Sequence, residues 1–280
     1  MRGFLSAFGR SPAAVAGLVL ILLMAAMAVL ASWSSPVGAI QAHVEDRLLP
    51  PLAQKAGALH WLGTDPLGRD VLLRLAIGAR VSLLIGTSAV VLGGTVGTAL
   101  GLTSGYAGGR VDRLLMRIGD MQLAFPSVLL ALAVLAVVGP GLRNVILVLG
   151  VSSWVTDARL VRAETLSLKE REYVLAARAM GASPGRILRH HLVPNVIGVI
   201  IVMATFSVAT TILAESGLSF LGLGVGGRTP TWGVMLADAR EYMAEAWWLT
   251  AFPGLAILVT VIGVNLVGDW LRDYLDPRGY

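Results

Sequence analysis

Residues 81–109 read VSLLIGTSAVVLGGTVGTALGLTSGYAGG, 29 positions without an Asp, Glu, Lys or Arg. A helix crosses the hydrocarbon of a bilayer in roughly 20 predominantly apolar residues. Residues 11–44, 121–142, 190–214 and 246–268 are uncharged in the same way, over 34, 22, 25 and 23 positions. Hydrophobic residues make up 56% of the 280 positions and charged residues only 14%, against about 25% charged in a soluble domain. The shortfall is concentrated in these runs, which argues against a soluble fold. A porin-type barrel would alternate in polarity along each strand, and these runs do not. The fold class is therefore an all-α integral membrane protein. Cysteine is absent, so no disulfide framework or thiolate metal site exists.

Six spans are expected, over Pro12–Trp33, Ser82–Thr103, Leu123–Val138, Asn144–Arg159, Asn195–Ala214 and Ala246–Gly268. The first is longer than the apolar core of a cleaved signal peptide, so it reads as an uncleaved anchor. Gly139-Pro140-Gly141 marks a tight turn between the third and fourth. An even number of spans puts both termini on one face, with residues 104–122 and 157–194. That face carries 14 of the 22 basic residues and 9 acids, and the other face carries 8 of each. The Lys/Arg bias assigns the basic face to the cytoplasm. It also accounts for a net charge of +5 without nucleic acid as a partner. The chain divides into an N-terminal anchor and extracytoplasmic segment (1–80), a core (81–270) and a cytoplasmic tail (271–280). Gly93, Gly94, Gly97 and Gly101 give small-xxx-small spacings suited to close helix packing in lipid.

The long polar segment 157–194 holds the most information. Asp157–Lys169 has helical character. Glu172 to Met180 forms a second helix, with acids at its start as the helix dipole prefers. Gly181 ends it in the left-handed conformation. Ser183-Pro184 reads as an N-cap and first helical position, opening a third short helix that stops before Pro194. Ala176, Ala177 and Ala179 keep the middle helix small, and Arg178, Arg186 and Arg189 surround it. Two readings fit equally: insertion into a cleft of another protein, or an amphipathic loop lying on lipid headgroups.

The stretch EYVLAARAMGASPGRILRHHLVPN (172–195) resembles the EAA signature of ABC-importer membrane subunits. Ala176, Ala177, Gly181 and Pro194 fall at matching positions, while Leu175, His191 and Val193 depart from the pattern. Three further stretches resemble the C-type permease of the dipeptide, oligopeptide and nickel importers: residues 60–83, residues 214–236 and NLVGDWLRDYLDPR at 265–278. The resemblance implies a bacterial inner-membrane permease subunit with both termini cytoplasmic. It implies a coupling loop docked on an ATPase, here Glu172, Leu175, Ala176, Ala177, Arg178, Gly181, Ala182, Pro184 and Arg186. It also implies a second, homologous permease subunit, two ATP-binding subunits inside and a solute-binding protein outside. ATP and Mg would be bound by those partners.

Gly222 to Gly227 imitates a phosphate loop, but a P-loop needs Gly-Lys-Ser/Thr. The only lysines, Lys55 and Lys169, follow Gln54 and Leu168. No catalytic constellation and no metal-ligand spacing is present, and His190-His191 reads as structural or solvated. Asp65, Arg69, Asp70, Arg74 and Arg80 read as exposed ion pairs worth about 0–1 kcal/mol each, or else as contacts to a delivery protein. Glu215 ends the fifth span, where it either marks the interface or, with Ser216 and Phe220, lines an outer gate. A membrane-embedded enzyme would need clustered polar groups, and a secondary transporter midplane charges and broken helices. Neither signal is visible in the sequence.

Overall fold

The computed structural model describes residues 2–34, 42–55, 58–226 and 229–275. Its helices are α1 (Arg2–Gly9), α2 (Pro12–Ser34), α3 (Val71–Ala107), α4 (Gly109–Leu123), α5 (Ser127–Val138) and α6 (Leu142–Leu168). They continue with α7 (Glu172–Ala179), α8 (Pro184–Ile187), α9 (Val193–Phe220), α10 (Trp232–Ala239) and α11 (Trp248–Leu275). One hairpin, β1 (Ala53–Lys55) and β2 (Ala58–His60), pairs antiparallel with Ala53 opposite His60. Among the described residues, the long helices containing α2, α3, α6, α9 and α11 are apolar enough to cross a membrane, and α4 with α5 passes that test only as a pair bent by 85°.

Helix directions settle the number of crossings. A Cβ at Gly93, Gly97, Gly101 or Gly105 of α3 would meet Gly150, Trp154, Ala158 or Thr165 of α6 in turn. Residue numbers rise together on both helices, so α3 and α6 run parallel. Parallel neighbours require the chain between them to return across the layer, and α4 plus α5 is that return. The other pairs are antiparallel: Gly17 meets Leu266 and Gly263 meets Leu20 between α2 and α11, while Gly268 meets Thr205 and Gly198 meets Leu275 between α11 and α9. Six crossings follow, and both ends of the described chain lie on one face. There Phe4 and Phe8 pack edge-on against Trp270 at 5.0 and 4.7 Å.

Several expectations need correction. The third span is no straight helix over Leu123–Val138. Pro126 follows the α4 end, and its ring and missing N–H cannot continue a helix. The helix expected to stop before Pro194 continues instead. Leu188–Leu192 form a π turn in which the Val193 amide reaches back to the Leu188 carbonyl, and Pro194 enters at the start of α9. A widened turn of this kind absorbs a residue that the regular ladder rejects. The segment boundary at 80/81 falls inside α3. Residues 271–275 continue α11, while 276–280 and Gly227 lie outside the described residues.

Arg80 is exposed, but Asp65, Arg69, Asp70 and Arg74 are not exposed pairs. Asp65 is 1% exposed and Arg74 4%. The Asp65 carboxylate accepts from the Arg74 guanidinium, from Arg69 Nε, and from the Leu67 and Arg69 amides at 2.9 Å each. Arg74 also donates to Asp238 on α10 at 2.6 Å. Asp70 caps α3 through the Leu73 amide at 3.0 Å and pairs with His60 at 3.0 Å. The segment before α3 is thereby locked onto α3 and α10, over the buried Trp232.

Candidate functional site

The loop between α6 and α9 sits on the face that carries both termini. Helix α7 closes as its sequence demands. Gly181 has φ +81°, and the Ala182 and Gly181 amides bond the Ala177 and Arg178 carbonyls at 3.0 Å. That is the six-to-one and five-to-two pattern of a left-handed cap. The Ser183 hydroxyl accepts from the Arg186 amide and opens α8.

Burial divides the candidate docking residues into two groups. Val174 is fully buried in the cluster of Leu102, Val161, Ile187, Leu192 and Val196, and Ala177 is 5% exposed. Ala177 is buried within the chain, which corrects its placement on a docking surface. Ala182 is half-buried beside the same cluster. Glu172, Leu175, Ala176, Arg178, Gly181, Pro184 and Arg186 remain exposed. Two exposed residues were missed: Tyr173, 43% exposed, and Met180, 82% exposed. The signal was helical spacing. Positions 174 and 177 mark the buried side, and 173, 176 and 180 share the exposed stripe that flanks it.

The loop is tied to the bundle from several directions. The Arg178 guanidinium lies 5.9 Å from the Tyr106 ring at the end of α3. Lys169 Nζ donates to the Gly105 carbonyl at 3.2 Å. Just inside, Arg162 forks onto Asp112 of α4 at 2.5 and 2.6 Å.

At the opposite face a cleft of about 490 Å³ is lined by Arg69, Phe220, Leu221, Asp238, Arg240 and Tyr242 among others. Only Phe220 of the three outer-gate candidates faces it. Arg240 lies 4.2 Å from the Phe220 ring and donates to the Phe220 carbonyl at 2.7 Å. Glu215 is 0% exposed and accepts on Oε1 from Ser219 at 2.7 Å and Thr231 at 2.9 Å. Ser216 is buried and donates to the Ile212 carbonyl at 2.8 Å. Glu215 is a buried tie between α9 and the start of α10.

Six crossings, one of them made by a bent helix pair, and a short helix beneath the bundle make this a multi-pass membrane protein. Residues 97–278 match the family of binding-protein-dependent transport system inner membrane components. Residues 1–51 match the N-terminal transmembrane domain of oligopeptide transport permease C. The di/tripeptide transport system permease protein DppC of Pseudomonas aeruginosa is 43% identical over 279 residues, 99% of this chain and 92% of that protein. The dipeptide transport system permease protein DppC of Escherichia coli K12 is 44% identical over 272 residues, 97% of this chain and 91% of that one. A glutathione transport system permease protein, GsiD, of Escherichia coli O6:K15:H31 is 42% identical over 271 residues, 97% and 88% respectively. The chain belongs to the family of binding-protein-dependent inner-membrane transport components, and it is a multi-pass permease subunit of an ABC importer.

Proposed function

We propose that this chain forms half of a solute path for peptides or related small solutes, and that its α7 loop docks on a cytoplasmic ATPase. A second permease subunit supplies the other half, and a solute-binding protein delivers cargo from outside. Residues 157–194 and both termini lie in the cytoplasm on this reading, in accord with the 14-to-8 split of basic residues between faces. The observation that carries the docking role is the exposed face of α7. Tyr173, Leu175, Ala176 and Met180 present apolar surface to water, while Val174 is buried against residues of α3, α6 and α9. Exposed apolar surface rimmed by charge marks a protein contact. ATP and Mg bind in the partner, because neither lysine of this chain stands in a Gly-Lys-Ser/Thr context. Peptide transport is supported by the names of the relatives in Pseudomonas aeruginosa and Escherichia coli.

The test is reconstitution of the assembled complex in proteoliposomes, with and without the ATPase, under ATP and then under a proton gradient. Uptake of a labelled dipeptide is expected only with ATPase and ATP. Gradient-driven uptake without the ATPase would replace this reading with a secondary transporter.

A further inference from the structure

The cleft at the outer face is built from segments that flank the spans. Its lining comes from residues 66–69, before the uncharged run 81–109, and from 220–222 and 237–242, between the runs 190–214 and 246–268. A lining of charged groups beyond the apolar runs opens to water and not to lipid. At about 490 Å³ the cleft falls within the range of roughly 300–1,000 Å³ common to small-molecule sites.

Part of its charge is already paired. Arg69 and Arg74 meet Asp65 and Asp238, two cations against two anions, so that wall is neutral. Two charges remain. The Arg240 guanidinium donates to the Phe220 carbonyl at 2.7 Å and lies 4.2 Å from the Phe220 ring, and it has no acidic partner among the described residues. A guanidinium has five N–H donors, so most of its donors stay free. Glu241, beside it in the chain, is exposed and has no hydrogen bond or ion pair among the described residues. Arg240–Tyr242 form a 3₁₀ turn, in which consecutive side chains point about 120° apart. The tie to Phe220 holds Arg240 away from Glu241. The cleft thus presents one unanswered cation and one unanswered anion, and a lone anion or a lone cation would satisfy only one of them.

We propose that this cleft is a subsite for a small zwitterion, the two free termini of a short peptide, with Arg240 taking the carboxylate and Glu241 the ammonium. A dipeptide or tripeptide at about 3.5 Å per residue spans roughly 7–11 Å, which suits a cleft of this volume. Phe220 and Leu221 supply apolar surface for its side chains. Recognition then falls on the termini and tolerates different side chains. The inference rests on the peptide reading above, and it adds that this chain, besides the solute-binding protein, selects for charged termini.

The test uses the assembled permease–ATPase complex in nanodiscs, without the solute-binding protein. Equilibrium dialysis reads the binding of labelled dialanine, its N-acetyl form and its C-terminal amide. The unsubstituted complex is expected to bind dialanine about tenfold or more tighter than either blocked form, the order contributed by a hydrogen bond to a charged group. Arg240→Gln should erase the preference over the amide and keep the preference over the N-acetyl form, and Glu241→Gln should do the reverse. ATPase co-purification shows that each variant has assembled, and either variant alone decides its own half of the proposal. Equal binding of the three ligands, binding of none, or variants that keep both preferences overturn it. Displacement of dialanine by phosphatidylethanolamine in the nanodisc assigns the cleft to a lipid headgroup and overturns it as well. ATP-driven dialanine uptake by the complete complex with its solute-binding protein checks the underlying reading separately. No uptake overturns that reading, whereas uptake without any terminus preference in binding overturns the subsite alone.

Discussion

Gly97 and Gly94 lie on the same helix, three residues apart, and the structure separates their fates. A Cβ at Gly97 would sit 2.7 Å from the Trp154 carbonyl oxygen and 2.6 Å from Asp157 Cβ, about 0.7 Å short of the 3.4 Å at which ordinary contact begins. Both neighbours are held by α6 itself, so the helices must part. Overpacking of this kind costs roughly 1–3 kcal/mol, set against a gain of about 1 kcal/mol in helix propensity on leaving glycine. At Gly94 a Cβ meets nothing within 4 Å, so only the gain applies. Gly97→Ala should therefore be less stable than Gly94→Ala by roughly 1–3 kcal/mol, a factor of about 5 to 150 in the unfolding equilibrium. Thermal unfolding of the detergent-solubilised complex, followed by size-exclusion profile, reads the difference as a lower midpoint for Gly97→Ala. Equal midpoints for the two variants would refute the claim that the glycine ladder sets the α3–α6 distance.

Replacing Arg74 by Met removes one of the two guanidinium partners of the buried Asp65 carboxylate, which keeps Arg69, and should destabilise the chain by roughly 1–3 kcal/mol; an unchanged stability would show that Arg74 does not anchor Asp65. Single cysteines at Gln54 and Arg178 should react from opposite faces of sealed vesicles, and reaction from one face would sink the six-crossing arrangement. Ala177→Leu overpacks the cluster under α7, at a cost of roughly 1–3 kcal/mol, whereas Ala176→Leu should leave stability unchanged and weaken ATPase co-purification; the reverse pattern would invert the facing of the helix. Gly181→Trp should insert normally yet lose ATPase co-purification and uptake. Its Cβ meets open space, so the fold bears only the strain of a positive φ, about 1–3 kcal/mol.

The spans, the basic face, the left-handed turn at Gly181 and the Ser183 cap were legible in the sequence because each is a local property. Transfer of an apolar run into lipid depends on that run alone, and a cap depends on residues within about five positions of one another. The same locality made residues 172–187 recognisable as a unit. What the chain order could not supply was which distant residues would meet. The burial of Val174 follows from a cluster assembled from α3, α6 and α9. Glu215 becomes a buried tie only because Thr231 is brought beside it, and Asp65 becomes a buried anchor only because Arg74 and Asp238 converge there. The break at Pro126 was readable as a proline. That it lies within the layer, exposed and uncapped, depends on the parallel packing of α3 and α6, which no periodicity encodes.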